Sequence, residues 1–341
     1  MTRNTMFMLL VSAAMFQFAP ASGQDTSKRQ AVVELSAVYM RQLPDYESAL
    51  ETQELMGTVV EITGEKGYWR EIMSPQPYKA WVTEKGLIEM SAQEIQAYVN
   101  APKIIYIGLY GHVYEDASYR SSYICDLVGG DMLRFAEKAT RLKGRWTEVM
   151  LPSGKRGFVP TRELKMHHGF TSIRQGEGSA ESISTETSEK IIEQAKKLLG
   201  VPYLWGGMSA KGVDCSGLVR ISYLMNGILL PRNASQQISC GDKVEMEIDA
   251  DYWTEAKRTG KEADDFREEM LRRTENLRRG DLVFFGMPAT EEKPMRITHV
   301  GIYIGGGKII HSSHKVRINS LIPGDADYYE NAWKLVAAVR L

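Results

Sequence analysis

The spacing of apolar positions divides the chain into three stretches. From Ala31 to about Met90, short alternating segments such as Gly57-Thr58-Val59-Val60-Glu61-Ile62 and Tyr68-Trp69-Arg70-Glu71-Ile72 are separated by glycine-containing turns, the pattern of a small all-β barrel. Between Pro102 and Lys165 the same order returns. The stretches GEKGYWREIM…PYKAWVTEKGLIE and LKGRWTEVMLPSGKRGFVPTRELK share a turn, a tryptophan, a strand, a second turn, an aromatic-valine pair and a closing leucine among charges. This predicts a tandem repeat of two barrels, over 31–92 and 101–168, with Trp69 and Trp146 in the barrel cores.

Beyond a Ser-, Glu-, Thr- and Gly-rich stretch read as a linker over 171–186, the period becomes helical. A helix capped near Thr187-Ser188 carries Ile191, Ile192, Ala195, Leu198 and Leu199 before Gly200 stops it. In VDCSGLV and the residues after it, Leu218, Ile221 and Met225 recur at i, i+3 and i+7, which places Cys215 in the first turn of a second helix. The acid- and base-rich residues 251–279 predict a largely solvated helical insertion without chemistry. In ITHVGIYIGGGKIIHSS, apolar alternation surrounds a glycine triplet, the pattern of an antiparallel hairpin centred on Gly305. Residues 187–341 are therefore expected to form an α+β domain.

The first residues change where this chain is expected to act. Basic Arg3, an apolar run over 6–18 and the small residues Ala19-Pro20-Ala21-Ser22-Gly23 match a secretory signal over 1–23, leaving no membrane span once it is removed. The expected location is outside the cytoplasm, in the periplasm or cell envelope. Export gives the three cysteines, Cys125, Cys215 and Cys240, a sharper meaning, because an odd number cannot all pair and one free thiol points to a reactive group. A bridge between Cys125 and Cys240 stays open. A net charge of −1 with interspersed signs leaves no basic footprint, which excludes nucleic acid as a partner, and a monomer is expected.

A thiol attacks only as thiolate, and a helix start favours that charge through its unpaired N–H groups. His299 and His311 are equidistant from Gly305 and so are expected to face each other across the hairpin. His299 would pair with Cys215 and protonate the leaving amine, while His311 would hold the other ring nitrogen of His299. The amide of Cys215 would help bind the oxyanion. Trp205 is expected to pack on the Cys215 helix. No metal or other cofactor is expected: His311 and His314, three apart on a strand, point to opposite faces, and the adjacent His167 and His168 diverge at the end of the second barrel.

PYLWGG…GVDCSGLV, RRGDLVFFG and ITHVGIYIGGGKIIHSS, in that order over 187–341, resemble the NlpC-type (NlpC and p-sixty) papain-like cell-wall cysteine peptidases. The repeat in front resembles bacterial SH3-type domains, and the whole arrangement resembles the YkfC-type, dipeptidyl-peptidase VI-like group. The resemblance implies a multidomain chain: two SH3-like barrels followed by a papain-like domain. It implies Cys215 as nucleophile, His299 as base, His311 as third polar residue, and Tyr78, Tyr203, Asp214 and Ser216 as substrate contacts. The implied substrates are peptidoglycan stem peptides or murein fragments, cut between γ-D-glutamate and the diamino acid, with a free N-terminal L-alanine. The group's two amine-binding acids are replaced, one by Asn233 and the other, at the position before the first barrel's Thr-Gln, most closely matched by Ala49 with Glu51 nearby. Two other readings remain, a murein-binding protein with a vestigial catalytic domain and a papain-like acyltransferase or amidase. Diaminopimelate and lysine both remain open as the diamino acid.

Overall fold

The computed structural model describes residues 28–75, 78–136, 141–174, 183–246, 266–290 and 292–341. The expected signal over 1–23 lies outside the described residues, as do 175–182 of the expected linker and 251–265 of the charged stretch. No helix of the described residues is long and apolar enough to cross a membrane.

Two all-β units precede an α+β unit, as the pattern predicts. In the first, seven strands from Arg29–Val33 to Leu87–Met90 form one sheet in the order third, second, sixth, fifth, fourth, first, seventh. The second unit, from Lys103–Tyr106 to Leu164–His167, repeats that order, and each ends on a 3-10 turn and a short last strand. The repeat seen in the sequence is thus a repeat of topology. Trp69 is buried in its barrel, while Trp146 is half-buried. Between the units, the helix Ala92–Asn100 is held by a reciprocal capping box of Ser91 and Glu94.

The third unit is a six-stranded antiparallel sheet in which Leu282–Met287, Arg296–Gly305 and Lys308–Ser313 are consecutive neighbours. Helices Thr185–Lys197 and Cys215–Leu224 cover it, and Ile191, Ile192, Leu218 and Val219 join Leu282, Phe284, Val300, Ile302 and Ile310 in one core. Ala37 and Leu55 of the first barrel and Ile105 and Val128 of the second belong to the same cluster. The units therefore share buried surface, which makes barrel placement a property of the fold.

The edge strand Leu50–Leu55 makes that junction specific. Its Thr52, Gln53 and Glu54 are all buried, where a barrel edge would ordinarily face water. Each meets a group of the α+β unit: Gln53 Oε1 accepts from the Met208 amide at 2.7 Å, Thr52 Oγ1 accepts from Arg232 Nε at 2.7 Å, and Glu54 lies 3.9 Å from Arg220. Thr52 Oγ1 and Gln53 Oε1 are satisfied across the junction, while Gln53 Nε2 has no partner among the described residues and Glu54 stands outside hydrogen-bond reach of Arg220.

Three expectations are corrected and one open alternative is decided. The first helix of the α+β unit starts two residues before Thr187, because Ser184 Oγ accepts from the Thr187 amide and becomes the cap. Within the expected linker, Thr171–Ser172 pairs in parallel with Ile228–Leu229. The described part of the charged stretch is solvated on one face only: the helix Phe266–Thr274 buries Phe266 and Met270 against Val283, Phe285 and Leu335, with an ion pair of Arg273 and Glu269 at 2.6 Å, while Arg267, Glu268, Leu271 and Arg272 stay exposed. All three cysteines are free, so the bridge of Cys125 and Cys240 is absent.

Candidate active site

Cys215 opens its helix as expected, and Asp214 is the cap: its Oδ1 accepts from the Gly217 amide at 2.7 Å and its Oδ2 from the Gly206 amide at 2.9 Å. The small residue at 217 is required by packing, since a Cβ there would lie 2.1 Å from the Gly207 carbonyl oxygen. Arg232, 2% exposed, grips both Asp214 oxygens at 3.0 and 2.6 Å, the bidentate geometry a guanidinium favours. It also donates to Ser216 Oγ at 2.9 Å, and Ser216 donates to Asp214 at 3.2 Å. Asp214 and Ser216 are therefore engaged inside the protein, holding the turn that presents the thiol.

The histidines lie close together, by a different register from the one expected. Ile302 pairs with Ile310 and Tyr303 with Ile309, but an irregularity between Tyr303 and Gly305 shifts the turn end of the ladder. Continued along the strands, this register sets Gly301, not His299, opposite His311; a Cβ on Gly301 would lie 3.2 Å from His311 Cβ. His299 is the diagonal neighbour, and the offset of two keeps both rings on one face. His299 Nε2 and His311 Nδ1 are 2.7 Å apart.

The chain continues to a residue the sequence reading missed. His311 Nε2 meets Asn319 Oδ1 at 3.0 Å, and Asn319 Nδ2 donates to the Asp327 carbonyl at 2.7 Å. A carbonyl only accepts, so the amide must turn its NH2 to Asp327 and its oxygen to His311. His311 then carries its proton on Nε2, accepts at Nδ1 from His299 Nε2–H, and leaves His299 Nδ1 as a lone pair. The ring of Tyr329 packs 4.6 Å from that of His311 and Phe285 packs 5.7 Å from His299, fixing both rings from the sides.

Burial sets the charge states. Desolvation, and next the Asp214 carboxylate, push the Cys215 thiol up to about 11 against the amides of Val300 and Ser216 and the charge of Arg232. Burial, with His311 and Arg317, holds His299 well below the ordinary histidine value. His311, fully buried, is likewise held down by burial in spite of its bond to Asn319. These shifts favour a neutral thiol and neutral imidazole at rest, whereas the helix start alone had suggested an ion pair. Desolvation and the nearby Cys215 and Asp214 raise Tyr203 to about 12, so its hydroxyl keeps its proton. Burial also raises the other thiols, Cys240 to about 11 and Cys125 to about 12.

Tyr78 reaches this region from the first barrel. Its hydroxyl donates to Glu51 Oε2 at 2.7 Å, Asn233 also hydrogen-bonds it, and Gln42 donates to Glu51 Oε1. Glu51, which the sequence places near the closest match Ala49, thus supplies a carboxylate beside Asn233. Trp205 is 68% exposed and does not pack on the Cys215 helix as expected. Arg232 and Asn319 were also missed, though a lone arginine in ILLPRN needs a carboxylate and Asn319 shares a hairpin face with His311.

Known proteins resemble this chain in sequence and in fold. Residues 200–336 match the NlpC/P60 family. A gamma-D-glutamyl-L-lysine dipeptidyl-peptidase of Bacillus cereus (strain ATCC 10987 / NRS 248) is 26% identical over 282 residues, 80% of this chain and 70% of that one. The protein of the same description from Bacillus subtilis (strain 168) is 28% identical over 274 residues, 78% of this chain and 73% of its own. The crystal structure of an NlpC/P60 family protein from Bacillus cereus ATCC 10987 superposes with a TM-score of 0.66 at 22% identity, covering 91% of this chain and 99% of that one, a likeness of fold across all three units.

Proposed function

With residues 200–336 an NlpC/P60 domain, we propose that the protein is an exported cysteine peptidase that cuts peptidoglycan stem peptides between γ-D-glutamate and the diamino acid. The observation that carries this reading is the thiol at a helix start in the same domain as the His299–His311–Asn319 chain. The relatives named gamma-D-glutamyl-L-lysine dipeptidyl-peptidases support the choice of bond.

In the proposed reaction, Cys215 Sγ attacks the γ-carbonyl carbon of glutamate as its proton passes to His299 Nδ1. His299 Nε2–H and His311 steady the imidazolium that forms, and the Cys215 amide donates to the oxyanion. The C–N bond breaks as that proton moves to the leaving amine, giving a thioester on Cys215. Water then adds to the thioester, losing a proton to His299, and the C–S bond breaks to release the dipeptide acid and restore the thiol. The protein's own residues supply every proton transfer in this sequence.

Because the active base is neutral His299, its depressed basicity sets the acid limb. Protonation that disables the base then occurs below the ordinary histidine value of about 6.5, not through it. A profile of kcat/KM from pH 4 to 8 is expected to stay level through pH 6.5 and fall only at lower pH. A limb centred near 6.5 would contradict this assignment.

Tyr78, Glu51 and Asn233 support selection of a free N-terminal amine. In this reading Glu51 pairs with the substrate ammonium, in place of the acids that Asn233 and Ala49 leave out. Glu51→Gln is expected to raise KM for L-Ala-γ-D-Glu-L-Lys by about 10-fold or more while leaving cleavage of the N-acetylated peptide unchanged. Equal effects on both peptides would remove Glu51 from amine recognition.

A further inference from the structure

Behind the nucleophile helix, where both barrels meet the α+β unit, lies a cavity of about 550 Å³. Its size falls in the range of small-molecule sites. Much of the wall is apolar, with Leu55 and Val59 from the first barrel, Met132 from the second, and Phe170, Leu224 and Leu229 beyond them. Cys215 is not part of it, so it is separate from the proposed reaction.

One cation is set into this wall. Arg220, 3% exposed, lines the cavity from the Cys215–Leu224 helix. Its nearest carboxylate, Glu54, stands at 3.9 Å, beyond hydrogen-bond reach, and its buried Nε has no partner among the described residues. A guanidinium removed from water is costly unless acceptors fill its planar fork, and here the fork is left incomplete. Burial disfavours the charge of both partners, raising the Glu54 carboxyl and lowering the Arg220 guanidinium from its ordinary value. Lys103, also on the lining, gives its ammonium to the carbonyls of Tyr98, Val99 and Ala101, which leaves Arg220 as the cation of this wall with an incomplete set of acceptors.

We propose that this cavity is a second ligand site, taking an amphipathic carboxylate whose oxygens complete the Arg220 fork and whose apolar body lies against the Leu55, Val59, Met132 and Leu229 wall. Glu54 lies on the strand that carries Glu51, and Arg220 on the helix that begins at Cys215. An occupant therefore bridges the two elements that present the proposed amine-binding carboxylate and the thiol. The inference does not depend on the reaction assigned above.

The test titrates the full chain with the anionic fluorophore 8-anilinonaphthalene-1-sulfonate and displaces it with decanoate, with methyl decanoate as the uncharged control. One saturable site is expected, decanoate displacing the dye at least tenfold more effectively than its ester and raising Tm. The double variant Arg220→Met, Glu54→Gln is expected to weaken decanoate at least tenfold without leaving an unpaired buried charge. Val99→Trp adds bulk to a lining residue that is 55% exposed, and is expected to block the site with the fold intact even where the double variant does not fold. Absence of a saturable site, equal displacement by acid and ester, or decanoate binding unchanged in Val99→Trp would overturn the proposal and leave a water-filled junction.

Discussion

Replacing Cys215 with alanine is expected to lower release of L-Ala-γ-D-Glu from a free tripeptide by about 10,000-fold or more, with the fold retained. The size of the loss follows from the role: without Sγ no thioester forms, and the histidines have no proton to accept. Retention of the fold follows from the local structure, because Asp214, Gly217 and Arg232 hold the helix start through atoms that the substitution does not touch. Product release is read by mass spectrometry and folding by circular dichroism. A variant that keeps substantial activity would show that another group performs the attack.

The second large effect is expected at Arg232, outside the nucleophile and base. Arg232→Met leaves the buried Asp214 carboxylate without its cation, and breaking such a pair costs about 3–5 kcal/mol. It also removes the donors to Ser216 and Thr52, so the nucleophile turn and the first barrel lose a shared tether. Activity and urea resistance should fall together. Arg232→Lys keeps the charge but not the planar fork and is expected to recover only part of the loss. The double variant Asp214→Asn, Arg232→Met should recover much of the stability, since no uncompensated charge remains and asparagine also caps helices well. A fully stable Arg232→Met protein would mean that the Asp214 pair does not hold this turn.

Local periodicity made several features readable in advance. The Trp-strand-turn repeat predicted two units of one topology, and the spacing of Leu218, Ile221 and Met225 put Cys215 at a helix start. Features that depend on another segment were harder to see. The turn is centred between Gly306 and Gly307, not on Gly305, and with the irregularity beside it the ladder lies two residues from the expected register, an even shift that preserved the shared face of His299 and His311 while changing their partners. Asn319 joins them through a second hairpin in which His311 pairs with Arg317, so its place depends on where the Ser313–Lys315 turn falls.

Charge composition was the least reliable guide. The helix Phe266–Thr274 carries many ionic residues, yet Phe266 and Met270, four apart, supply a buried stripe and the Glu269–Arg273 pair satisfies the charges beside it. Glu51 was left without a role for a related reason: its relation to Tyr78 and Asn233 is set by a barrel edge packed on another unit. Trp205 shows the converse, since aromatic character suggested packing and the Gly206 turn leaves the ring in solvent.

The most direct test of the central claim is mass spectrometry of L-Ala-γ-D-Glu-L-Lys and its diaminopimelate counterpart incubated with the wild-type protein and with Cys215→Ala. The account predicts L-Ala-γ-D-Glu and the free diamino acid from at least one of the two peptides with wild type, and neither product from the variant. Intact peptides with the wild-type protein, or the same products from both proteins, would contradict it.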